Sequence, residues 1–335
     1  MLFAAITTLG SSGLQAPVYA TCMLYASPRL VYVGCGLVVM TLDVQTGRLK
    51  RLFPTDDAVM RLVMDKRGLS YVEPKTLHTP GHTYGLPWQS EADQPAGLYS
   101  WKGLLIVPGE WENFYFDGLQ LRHFDPGDAG TVIAMNQNGE AVAVGGKQPA
   151  VGLFRMAEGK LRFKSVQSIG GNYYVADASF LAGAGWVFTS LDGRVRIFRG
   201  AGHRSPVLYR SPGTIPSAIC SDGKSLLCVA FQNNSKKSVP GSRSRLVLLS
   251  ISKGRVRVSV IRRGTQFAAT AIAPDGSSLL ATDDWGRLWG WRLHTAQGGW
   301  PVNATPMRLQ DLSPRTEDPE KQSWKMPRQK PLHNP

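Results

Sequence analysis

No run of eighteen apolar residues occurs in this 335-residue chain, so nothing in it reads as a helix that spans a bilayer. Convincing amphipathic helical stretches are absent as well. Cysteine is sparse: Cys22, Cys35, Cys220 and Cys228 show no CxxC spacing. That excludes a disulfide-stapled framework and offers no zinc site, and the four read as reduced thiols in or near a core, as suits a cytoplasmic protein. Neither Ser11-Ser12-Gly13 nor Gly170-Gly171 is followed by the Lys-Ser/Thr of a phosphate loop, so nucleotide binding gains no support. Acids are few, 24 against 38 Lys and Arg, for a net charge of +14.

The apolar N-terminus carries Val18-Tyr19-Ala20, which resembles a signal-peptidase site. No basic residue precedes Arg29, however, and Gly10-Ser11-Ser12-Gly13 interrupts the apolar run. A secretory signal needs a basic start and an unbroken apolar centre. Leu2–Leu9 reads instead as a strand, with export through an atypical signal as the alternative to a cytoplasmic location.

What the chain does have is 43% hydrophobic residues, 36 glycines and 22 prolines. Short apolar runs are separated by tight turns, the pattern of hairpin-linked strands. The clearest unit is Phe267–Leu293. Its runs Ala268–Ala273, Leu279–Thr282 and Arg287–Leu293 are divided by Pro274-Asp275-Gly276 and Asp284-Trp285-Gly286. Echoes of it recur every 35–50 residues, near 21–53, 58–92, 96–124, 130–167, 174–210 and 214–263. Such a period is the mark of a β-propeller. The expected fold is all-β, a single seven-bladed propeller over residues 1–312. The last unit shows only three strands, and a ring must close to avoid an open edge. Leu2–Leu9 is the preferred closing strand and Ala304–Leu309 the other. Residues 313–335 hold five prolines and several charges, and read as a flexible or partner-bound tail.

Two segments carry a family resemblance. Asp192-Gly193-Arg194-Val195-Arg196-Ile197-Phe198-Arg199 resembles the WD40-repeat pattern of Asp-Gly, alternating apolar residues, then Trp-Asp. Gly286-Arg287-Leu288-Trp289-Gly290-Trp291-Arg292 is similar, and residues 273–282 resemble the inner hairpin of such a repeat. Phe198-Arg199 and Trp291-Arg292 replace the usual Trp-Asp pair, and no Gly-His dipeptide stands at a regular repeat position. The resemblance implies a propeller architecture and a role in protein interaction.

Charge is the asymmetric feature. Arg194 to Arg263 contains fifteen Lys and Arg and one acid, Asp222, whereas Met40 to Gly130 holds twelve acids and nine bases. In Arg194-Val195-Arg196-Ile197 and Arg255-Val256-Arg257-Val258, alternation puts the arginines on one face of a strand. If the apolar faces pack between blades, the cationic faces need water, an acid or a partner. The candidate binding residues of this basic sector are Arg194, Arg196, Lys236, Lys237, Arg243, Arg245, Arg255, Arg257, Arg262 and Arg263. A protein partner is expected, or nucleic acid or another polyanion, since such a field supplies sequence-independent attraction.

Other candidates are weaker. His78 and His82 are four apart, but Pro80 and Gly81 rule out a helix, and an exposed loop is expected. Trp111, between Glu110 and Glu112, is a candidate loop anchor for a partner. With Asp117, those carboxylates would serve an enzyme or small-ligand site only if they converged; the central channel is the other place for one. Trp285, Trp289 and Trp291 read as blade packing. No catalytic residue, metal ligand or cofactor is assigned.

Overall fold

The computed structural model describes residues 20–90, 93–126, 130–145, 148–168, 174–198, 205–233, 243–252, 255–284, 286–296 and 300–307. Their strands form seven four-stranded antiparallel sheets, each built from four strands consecutive in sequence. The sheets span 20–54, 61–85, 99–123, 131–168, 175–210, 214–263 and 267–306, here blades 1 to 7. The first strand of each blade lies innermost, against the inner strands of its neighbours, and the sequence of contacts returns from blade 7 to blade 1. The molecule is thus a closed seven-bladed β-propeller.

Alternation explains the packing. Leu279 and Ala281 in the second strand of blade 7 join the core shared with blade 6, while Leu280 between them joins the core shared with blade 1. In blade 6, Leu227, Val229 and Phe231 face blade 5, and Leu226, Cys228 and Ala230 face blade 7. Both faces of such a strand are buried, which is why these runs are continuously apolar rather than alternating with polar residues. Each of the seven junctions between neighbouring blades has its own hydrophobic cluster.

The outer strand of blade 7 is Trp300–Pro306, paired antiparallel with Leu288–Ala296. Blade 7 therefore completes its sheet from the C-terminal side, and Leu2–Leu9 lies outside the described residues, as does the 313–335 tail. No strand crosses the seam between blades 7 and 1 among the described residues. The seam is held by packing, by the Thr282 hydroxyl donating to the Ala20 carbonyl at 3.2 Å, and by a 2.9 Å hydrogen bond between the Tyr25 and Ser278 hydroxyls.

Because strands run up and down each blade, the loops sort onto two faces. Connectors between blades share one face with the hairpins between second and third strands; we call it the connector face. The opposite face carries the remaining hairpins, and there a side-chain oxygen often closes the turn. Asp43, Asp65, Asp117, Asn136, Asp222 and Asp275 each accept backbone N–H bonds from residues two to four positions onward. This is the turn chemistry that favours Asp and Asn in such places.

These bonds make the fold acid-sensitive. The Thr46 N–H, followed by Arg29, holds the Asp43 carboxyl below its ordinary value. At Asp117 and Asp275 burial acts upward but is outweighed, by the Gln120 and Leu119 N–H groups with Arg122, and by Ser277. A carboxyl depressed in the folded state contributes stability above its unfolded pKa of about 3.9, and the contribution is lost as pH falls through the folded value. The contribution of these turns to the unfolding midpoint should stay flat down to about pH 5 and drop below about pH 4. The triple variant Asp43→Asn, Asp117→Asn, Asp275→Asn keeps the acceptor oxygens and should flatten that limb; an unaltered acid limb would remove these turns as its cause.

Candidate functional site

The hairpin Asp192-Gly193 on the connector face organises the basic sector. Gly193 has φ of 75°, and a β-carbon there would overlap the Ser211 carbonyl oxygen and stand 2.7 Å from that of Thr214. Only glycine lets this turn rest on the 211–213 connector. Its neighbour Asp192 accepts Arg194 Nη1 at 3.0 Å and Arg196 Nη2 at 2.8 Å on the same carboxylate oxygen. Ser190 donates to the other oxygen at 2.5 Å. Burial pushes the Asp192 carboxyl up, but Ser190, Arg196 and Arg194 outweigh it and hold the group below its ordinary value.

Arg196 corrects the sequence expectation. Alternation does place it on the face away from Val195 and Ile197. That face is not solvent: Arg196 stands opposite Phe188, itself buried against blade 4, and is only 2% exposed. A third strand is covered by a neighbouring blade on each side, so the arginine meets an acid of its own blade rather than a partner.

The other candidates divide. In blade 5, Arg194 pairs directly across the sheet with Arg210; in blade 6, Arg245 pairs with Arg263. Both pairs lie at the connector-face end of their strands. Arg243 joins them, its guanidinium over Gly213 of the connector between the two blades. Arg262 lies 4.6 Å from the Trp289 ring centroid and supports the junction with blade 7. Arg255 and Arg257 are exposed at the other end of the same outer strand, about 26 and about 20 Å from Arg263 by strand rise, and do not join the group. Lys236 and Lys237 lie outside the described residues. Arg210 is an exposed member that sequence reasoning left out of the site; its only signal was its place in the basic window.

Trp111 is 73% exposed at the tip of the blade 3 hairpin on the same face. The loop is firmly held. The buried Asp93 carboxylate accepts N–H bonds from Glu110 at 2.7 Å, Trp111 at 3.4 Å and Glu112 at 3.2 Å. Glu112 in turn accepts the Gln89 N–H at 2.7 Å. A β-carbon on Gly109 would stand 2.6 Å from the Trp88 ring. Asp117 directly follows the next strand, on the opposite face, bound to Arg122. Glu110, Glu112 and Asp117 therefore do not converge.

Of His78 and His82, only the first departs from expectation. They stand on paired strands of a tight hairpin; His82 is exposed beside the turn as expected, whereas His78 is buried, 3.0 Å from Glu73 and stacked on Tyr71. Trp289 and Trp291 stack on one another against the blade 6–7 core, as packing residues should; Trp285 lies outside the described residues. On inner strands, Arg61 of blade 2 and Asp177 of blade 5 act on one another across the axis; burial nonetheless pushes the Asp177 carboxyl up to about 6. Among the described residues no three His, Cys, Asp or Glu are grouped to hold a metal, and no helix is long and apolar enough to cross a membrane.

Solved structures share this ring. The β-propeller domain of Myceliophteria thermophila Cps50 (Swd1) has a TM-score of 0.61 at 11% identity, covering 84% of this chain and 98% of that one. A chain of the mitotic checkpoint complex gives 0.60 at 14% identity, over 87% and 100%. The RRP9 WD40 repeats give 0.58 at 13% identity, over 81% and 88%. The likeness is one of fold, the β-propeller, which the RRP9 structure builds from WD40 repeats. No family model and no curated protein matches the sequence. The ring here has Phe198-Arg199 and Trp291-Arg292 where a WD40 repeat would have Trp-Asp, and hydrophobic packing joins its blades.

Proposed function

We propose that this WD40-type propeller is a binding scaffold, which holds an acidic protein or other polyanion on the cationic rim of blades 5 and 6. The observation that carries this reading is the double juxtaposition of like charges, Arg194 with Arg210 and Arg245 with Arg263. Like charges directly across a sheet are destabilising, and Asp192 offsets this repulsion only at Arg194 among the four. An anion above the rim turns that repulsion into attraction. The rigid Trp111 loop supplies a second, apolar contact on the same face, in the manner of an aromatic anchor. A similar ring is a chain of the mitotic checkpoint complex, an assembly, which agrees with a role in protein association.

Changing Arg210, Arg243, Arg245 and Arg263 to Gln removes four surface charges. At about 0.2–1 kcal/mol each, or about 0.8–4 kcal/mol together, affinity for co-purifying partners should fall between about fourfold and about 700-fold. The dependence of binding on salt should weaken in parallel. Pull-downs from the native source at low and high salt, read by mass spectrometry, make the comparison. Capture of the same partners at the same salt sensitivity by the variant would overturn the reading. Nucleic acid as the polyanion would show as loss of capture after nuclease treatment.

A further inference from the structure

Two poles of opposite charge share the connector face, and each has an exposed apolar centre. On blade 3, Trp111 stands between Glu110 and Glu112, with exposed Asp56 on the connector before blade 2. On blades 5 and 6, Tyr174 and Leu191 are 82% and 47% exposed and are joined by a bond from the Leu191 N–H to the Tyr174 carbonyl. Arg194 and Arg210 lie beside them, then Arg243, Arg245 and Arg263.

We infer that the occupant of the cationic rim is the acidic Trp111 loop of a second copy of this chain. This deepens the reading of the rim as an anion-binding surface and rests on it. The symmetry is simple. A two-fold axis lying between two facing connector faces, along the bisector of the two poles, places each acidic loop over the other copy's rim. The contact is then made twice, as an isologous dimer requires. Each half joins an aromatic to the Tyr174–Leu191 pair and two glutamates to arginines. The loop is already in place for such a contact. Asp93 fixes it before association, so little conformational freedom remains to be lost.

Sedimentation of the purified chain at low and high salt tests this. At low salt the mass should be twice that of the monomer, falling toward the monomer as salt rises. Trp111→Ser should weaken the association at least tenfold. The double variant Glu110→Lys, Glu112→Lys makes both poles basic, and the triple variant Arg210→Glu, Arg245→Glu, Arg263→Glu makes both acidic. Each alone should be monomeric, with an unchanged circular dichroism spectrum, and an equimolar mixture should dimerise. Trp111→Ser, which touches no ion pair, keeps the test decisive if a charge-reversed variant fails to fold. A monomeric wild type at low salt, or full association of Trp111→Ser, would overturn the dimer. Monomeric wild type that still captures acidic partners through the rim would leave the scaffold reading standing.

Discussion

Leu280→Ala should lower stability by about 3 kcal/mol, within the 2–5 kcal/mol typical of a buried leucine cut to alanine. Leu280 has no exposed surface, and its side chain leaves its own blade to pack with Ala20, Val31, Val33, Cys35, Leu42 and Val44 of blade 1. The loss has two parts, the apolar contact itself and the cavity left where a β-sheet backbone cannot collapse. The place matters as much as the size. Blades 1 and 7 are each complete sheets, so no shared strand among the described residues crosses their seam. Leu227→Ala, equally buried at the junction of blades 5 and 6, provides the control, because the chain itself ties those blades together. Both variants should shift the urea midpoint by similar amounts. Only Leu280→Ala should also raise hydrogen exchange along Ala20–Tyr25, since local opening follows the weakest boundary. A midpoint shift worth less than about 1 kcal/mol would mean that the seam is held elsewhere.

Much of this ring is legible in the sequence, and the reason is local. Pro274-Asp275-Gly276 closes its hairpin with its own side-chain oxygen, so its signal lies within a few residues. The same holds for Asp43 and Asp222. Blades 2 and 3 are harder to read because their strands are short, three to five residues each, and a long connector joins them. The site is less legible because its determinants are distant in the chain. Asp93 fixes a loop seventeen residues on, without any motif to announce it. Alternation correctly separates Arg196 from Val195, yet whether the second face meets water depends on the neighbouring blade. The pairing of Arg245 with Arg263 spans a hairpin whose register includes a bulge between Leu246 and Val247, so counting residues from the turn does not reveal it.

Asp192→Asn should separate stability from binding, with opposite signs. The carboxylate is bound to both Arg194 and Arg196. Removing one partner of a fully buried pair costs about 3–5 kcal/mol, because the remaining charge stays desolvated. Arg196 has only 2% of its side chain exposed, but Asp192 has 40%, so water already screens one end. A cost of about 2 kcal/mol is therefore expected. The lost interaction is the one that holds the Asp192 carboxyl below its ordinary value, so the destabilisation should shrink as the wild type is itself taken to acid pH. Binding should move the other way. The substitution removes the negative charge nearest Arg194 and Arg210, and an anionic partner should be held about two- to fivefold more tightly at low salt, with the advantage fading as salt screens it. A variant that is both less stable and weaker in binding would show that Asp192 orders the rim for its partner. A variant that is less stable and stronger in binding would show that the acid serves the fold, and that the exposed arginines beside it serve the partner.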